Sequence, residues 1–111
     1  MKLYDVFKII EEQAAPVALS DELCSKYGNY DNSGIMLENE GEITGALFSL
    51  DFTPEAAEEA AQRGCNLIIT HHPAIYHGIK RITPSDDLIS RALVICIKNN
   101  IGIISMHLNF D

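Results

Sequence analysis

Two clusters of side chains in this 111-residue chain carry groups suited to metal and acid–base chemistry. One is Thr70-His71-His72-Pro73, and the other is His107-Leu108-Asn109-Phe110-Asp111. Imidazole nitrogens and a carboxylate together make a divalent-metal ligand set. Adjacent histidines suit two neighbouring ions better than one, since a single ion would need both rings to converge from consecutive backbone positions. Asp111 is a hard anionic ligand that would favour a cation already held by His71. His107 reads as a further ligand or as a group that fixes a carboxylate from behind. Asp51 and Asn32 are further candidates for such a supporting role, and Asn109 reads as a backbone-bonding loop residue.

Other polar residues carry blander readings. His77, between Tyr76 and Gly78, reads as a solvated loop histidine. Arg81 reads as exposed, and Lys80 as either exposed or facing an anionic substrate. Asp31-Asn32-Ser33-Gly34 fits a plain tight turn, or a turn that brings Asn32 and Ser33 to the metals as hydrogen-bond donors. No glycine spacing of a P-loop or dinucleotide fingerprint is present, and no nucleophile-elbow sequence supports a serine triad.

Both clusters follow short β-branched runs, Asn66 to Ile69 and Ile101 to Ser105, and a third run from Ile43 to Leu50 ends in Asp51. Between these runs lie two helical patterns. Thr53 is a candidate N-cap with Pro54 at the first helical position and Glu55 in the first turn, and Gly64 stands where a left-handed C-cap belongs. Ala56, Ala57, Ala60 and Ala61 would form the buried face. Ser85 with Asp86-Asp87 opens a second helix that carries Leu88, Ala92, Leu93 and Cys96 inward and exits through Lys98-Asn99-Asn100. Strand–helix alternation implies a parallel sheet with right-handed crossovers. The strands at 43–50, 66–70 and 101–106 then point one way, and their C-terminal ends share one rim, where open α/β sheets hold ligands. That brings Asp51, His71, His72, His107 and Asp111 together. Upstream, Leu3, Val6, Phe7 and Ile10 predict an amphipathic helix over 3–14. Ile35 to Leu37, the turn Asn39-Glu40-Gly41 and the strand from Ile43 predict a β-hairpin. The fold expected is α/β: N-terminal helix, hairpin, then β-α-β-α-β with metal ligands at strand C-terminal ends.

Size and composition limit the alternatives. The length suits a single α/β domain spanning residues 1–111, and 47% hydrophobic with 22% charged residues is an ordinary globular composition. Sixteen acidic against eight basic residues give a net charge of -8 with no basic stripe, which argues against a nucleic-acid footprint. Cys24, Cys65 and Cys96 lack paired spacing and read as reduced thiols of a cytoplasmic protein. No signal-peptide pattern and no apolar run near the ~18 residues of a membrane span is present.

Four segments taken in order resemble the NGG-interacting-factor-three family, whose members are often called GTP cyclohydrolase I type 2 homologues. They are Asp31-Asn32-Ser33-Gly34, Ser49-Leu50-Asp51-Phe52-Thr53-Pro54-Glu55, Leu67-Ile68-Ile69-Thr70-His71-His72-Pro73 and the final His107-Leu108-Asn109-Phe110-Asp111. The similarity spans the whole chain but only the N-terminal part of the family, so the chain reads as the first part of a longer two-part protein. The resemblance implies a dinuclear metal centre, two divalent ions per subunit, in an α/β protein that forms ring-like homo-oligomers. His71 and Asp111 would bind one metal and His72 the second. The family completes the centre with a histidine and a bridging glutamate from a later segment that this sequence lacks. Leu108 and Phe110 stand where the family commonly has threonine and leucine.

Two adjacent divalent ions activate water and stabilise an oxyanion, so the expected activity is a metal-dependent hydrolase acting on a nucleotide or phosphate ester. Zinc, iron, manganese and nickel all remain open. The alternatives are a non-enzymatic metal-stabilised scaffold or partner-binding module, or an inactive truncated fragment.

Overall fold

A computed structural model describes residues 1–13 and 32–106 of the chain. Helix α1 spans Leu3–Gln13, followed by strands β1 (Gly34–Leu37) and β2 (Ala46–Ser49). Helix α2 (Pro54–Arg63), strand β3 (Leu67–Thr70), helix α3 (Leu88–Lys98) and strand β4 (Gly102–Ser105) complete the order. The four strands form one sheet in the order β1-β4-β3-β2. β2, β3 and β4 run parallel, in the register Ala46↔Leu67↔Gly102 through Ser49↔Thr70↔Ser105. The parallel block and the α1 helix therefore agree with expectation.

The hairpin does not. β1 pairs antiparallel with β4, at the opposite edge of the sheet from β2. Asparagine side chains explain the change of route. Asn39 Nδ2 donates to Asn66 O and Asn100 O, both at 2.9 Å, and Asn100 exchanges two bonds with the backbone of Glu40. Asn66 in turn accepts from Thr44 N and donates to Glu42 O. The segment after β1 is thus clasped along the lower edge of the sheet, under β4 and β3, until it reaches β2. Gly102 is required there: a Cβ on it would lie 2.7 Å from Asn39 Oδ1 and 3.2 Å from Leu3 Cδ1.

The helices follow their local chemistry. Thr53 Oγ1 accepts from Ala56 N, Pro54 opens α2, and Gly64 closes it at φ 72° with its N–H on the last carbonyls. Ala56, Ala57 and Ala60 are buried, and Ala61 is half-buried. Asp87, rather than Ser85, caps α3 by accepting from Ser90 N, and Asn100 at φ 53° turns the chain into β4. Leu88, expected inward, is exposed, because it sits at the first helical position just past the cap. Successive crossovers moving the same way along a sheet with the same hand put their helices on the same face. Accordingly α2 and α3 pack together over Ile68 and Ile103, with Phe52, Ala92, Leu93 and Cys96. Burial pushes the Cys96 thiol up to about 12, so it is a packed core group rather than a nucleophile. Leu3, Val6, Phe7 and Ile10 of α1 cover the other face, over Leu67, Ile69, Ile104 and Met106. Among the described residues no helix is long and apolar enough to cross a membrane.

Candidate metal-binding rim

Parallel pairing runs on past the ends of the strands. His71 N–H donates to Ser49 O at 3.1 Å, His72 N–H to Leu50 O at 2.9 Å, and Met106 N–H to Thr70 O at 2.9 Å. Ser49 Oγ meanwhile bonds Asp51 O at 2.7 Å and turns the exit of β2. These tethers bring the exits of β2 and β3 side by side at the upper rim. The two imidazoles stand with ring centroids 5.4 Å apart and planes tilted by 45°.

The two histidines have different surroundings. His71 shares the parity of Ile69 and faces an open cleft of ≈ 450 Å³ with Phe48, Leu50, Ile69 and Met106. His72 turns outward and its Nδ1 lies 2.6 Å from Asp51 Oδ1. A carboxylate oxygen only accepts, so Nδ1 carries the proton and Nε2 is the nitrogen whose lone pair would meet a metal. The pair is about half exposed on both sides, at 47% and 59%, so its value lies in orientation more than in stability.

Two buried hydroxyls hold the bend behind the histidines. Thr70 Oγ1 donates to His72 O at 2.8 Å and lies 2.7 Å from Ser105 Oγ, which accepts from Ala74 N at 3.0 Å. Asn32 reaches the same loop from the start of β1, where its Nδ2 donates to Ile75 O at 2.6 Å. Further along, Tyr76 and His77 meet edge to face at 4.6 Å, and Lys80 and Arg81 are exposed.

Of the expected site residues, the rim thus gathers His71, His72 and Asp51, with Asn32 bracing the loop. His107, Asp111 and Asp31 lie outside the described residues. Among the described residues no three His, Cys, Asp or Glu side chains are grouped to hold a metal ion. What is present fits part of a metal centre: two imidazoles, one of them oriented by a carboxylate. Sequence reasoning placed Thr70 in the histidine cluster without giving it a role and gave none to Ser105; the available signal was a hydroxyl residue closing each of two neighbouring apolar strands.

This frame has known relatives. The Duf34/NIF3 (NGG1p interacting factor 3) family model matches residues 1–111. The chain belongs to this family. It is 40% identical over its full length to a Clostridium perfringens protein named GTP cyclohydrolase 1 type 2 homolog, covering 39% of that relative. A Clostridium acetobutylicum protein of the same name is 34% identical, again over the whole chain and 38% of the relative. The chain therefore spans about two fifths of the length of these curated relatives. Among solved structures, a Staphylococcus aureus hypothetical protein superposes with a TM-score of 0.79 at 31% identity, over 98% of this chain and 33% of that one. Reduced HcgD from Methanocaldococcus jannaschii gives 0.76 at 26% identity, over 98% and 40%. These likenesses carry the mixed α/β fold and the family.

Proposed function

We propose that this chain is the N-terminal part of a cytoplasmic, homo-oligomeric metal-dependent hydrolase that acts on a nucleotide or phosphate ester. His71, His72 and Asp111 are the divalent-metal ligands in this reading. The observation that carries it is the histidine pair at the C-terminal rim of the parallel block, with His72 oriented through Nδ1 by Asp51. Metal-ligating histidines usually donate their second ring N–H to a carboxylate or carbonyl, which fixes tautomer and ring angle. Relatives named GTP cyclohydrolase 1 type 2 homolog support the nucleotide substrate class. A pair of divalent ions supplies activated water and oxyanion stabilisation. The chain's own part is to present Nε2 of His72, to hold His71 at the mouth of the cleft, and to keep the intervening bend rigid.

Full-length protein incubated with manganese or zinc should turn over GTP or a simple phosphodiester, and His71→Ala and His72→Ala should abolish that turnover together with metal content. Retention of both by the double variant would refute the ligand assignment.

A second reading is a metal-stabilised, partner-binding scaffold without catalysis. It is favoured by Phe48, 75% exposed beside His71, and by the exposed Leu50. Stoichiometric metal with no turnover of either substrate would select it.

A further inference from the structure

We infer that Thr70 and Ser105 are positioning residues for the histidine rim, acting through one directed chain of hydroxyl bonds; the metal half of this inference rests on the ligand reading above. Three buried polar side chains occur among the described residues: Thr70, Ser90 and Ser105. Ser90 is accounted for, since its hydroxyl donates to Asp87 Oδ2 at 2.6 Å in the cap of α3. Thr70 and Ser105 are fully buried and sit directly opposite each other in the β3–β4 register. Buried strand ends do not need hydroxyls there, and valine or alanine would fill the same space.

One proton per hydroxyl fixes the direction of the chain. Thr70 gives its proton to His72 O, so the 2.7 Å contact is a bond from Ser105 to Thr70. Ser105 Oγ is then an acceptor for Ala74 N–H. The order is Ala74 N–H to Ser105, Ser105 to Thr70, Thr70 to His72 carbonyl. It brackets Pro73, which has no N–H of its own and restricts the conformation of His72 before it. Both ends of the His72-Pro73-Ala74 bend are thereby pinned to two different strands. The Cα–Cβ direction of His72 follows from that bend, and so does the 2.6 Å approach of its Nδ1 to Asp51. Either hydroxyl removed leaves the other without its partner, so the two act as a unit.

The test compares wild type, Thr70→Val, Thr70→Ser, Ser105→Ala and the Thr70→Val/Ser105→Ala double variant in the full-length protein. In the metal-free state, Thr70→Val should speed hydrogen exchange in the peptide containing Ala74, which Thr70 does not touch, by about tenfold. It should also move the His72 ring nitrogen signals toward the average of the two tautomers. Thr70→Ser should restore both. On titration with zinc, Thr70→Val and Ser105→Ala should each weaken binding about 10–100-fold, the range for removing groups that orient ligands. The double variant should be no worse than the weaker single one, within about a factor of two. Should Thr70→Val fail to fold, Ser105→Ala carries the test through the His72 ring signals, since Ser105 does not touch His72. A lowered Tm with wild-type His72 signals and zinc affinity would overturn the inference and leave the hydroxyls as core filling. If wild type takes no zinc, the ligand reading fails, while the ring signals still decide whether the relay orients His72.

Discussion

The two ends of one sheet use polar side chains in opposite ways. At the lower edge Asn39, Asn66 and Asn100 spend their amides on backbone atoms, and the segment between β1 and β2 is sealed against the starts of β3 and β4. At the upper rim the polar backbone is held from behind by buried hydroxyls, so the imidazoles and Asp51 can face outward. In the reading proposed above, the upper rim carries the chemistry, at the strand C-terminal ends where open α/β sheets hold ligands, and the lower edge carries stability. The rim leaves its side chains at the surface, fixes the backbone that carries them, and adds one side-chain constraint, the Asp51 contact to His72.

That contrast should separate in mutants. The largest effect belongs to the rim: His71→Ala and His72→Ala should each reduce zinc affinity by about 100-fold or more, about 2.8 kcal/mol, as read by calorimetry. Thermal stability should stay within about 0.5 kcal/mol of wild type, as for most surface substitutions. Next comes Gly102→Val at the lower edge, where the added side chain meets Asn39 and Leu3. It should cost about 2–3 kcal/mol in denaturant unfolding, with zinc affinity of the folded fraction unchanged. Asn39→Ala leaves the carbonyls of Asn66 and Asn100 without that donor and should cost about 1–2 kcal/mol, again with no change in metal binding. A fall in zinc affinity with either lower-edge variant would break the division of labour.

The smallest effect is a pH dependence at the N-cap of α3. The Ser90 hydroxyl, and then its backbone N–H, hold the Asp87 carboxyl below its ordinary value. A depressed folded value means the cap's contribution is complete above the unfolded pKa and is lost as pH falls through the folded one. Acid unfolding of Asp87→Asn, which keeps an acceptor but cannot titrate, should show a slightly shallower acid limb than wild type. Superimposable limbs would show that the charge on the cap, as distinct from its hydrogen bonds, contributes nothing measurable.

The parallel block was legible because its signals are local. Thr53-Pro54 and Gly64 bound α2 by capping, and the apolar runs at 67–69 and 101–104 match buried strands. The rim followed from topology, since parallel strands must end together, and Asp51 met His72 as that convergence implied. The route from β1 to β2 was not legible. Asn39-Glu40-Gly41 looks like a hairpin turn, yet the bonds of Asn39 go to residues 27 and 61 positions away, which no local pattern encodes. The relay was hidden for a related reason: Thr70 and Ser105 are unremarkable strand-end residues until the register places them opposite each other.

One irregularity in β1 has a consequence for chain length. Gly34 and Ile35 pair with Ser105 and Ile104, but Leu37 pairs with Ile103, so Met36 is a residue the ladder does not count. Ile35 can therefore pack toward α1 while Leu37 packs toward α2 and α3. Excising Met36 would leave every remaining pair in place and both apolar contacts on their proper sides, losing its packing and the Asn32 Nδ2 contact to its sulfur at 3.5 Å. The strand carries a spare link. A one-residue shortening there should be absorbed without moving either the asparagine clasp below or the histidines above.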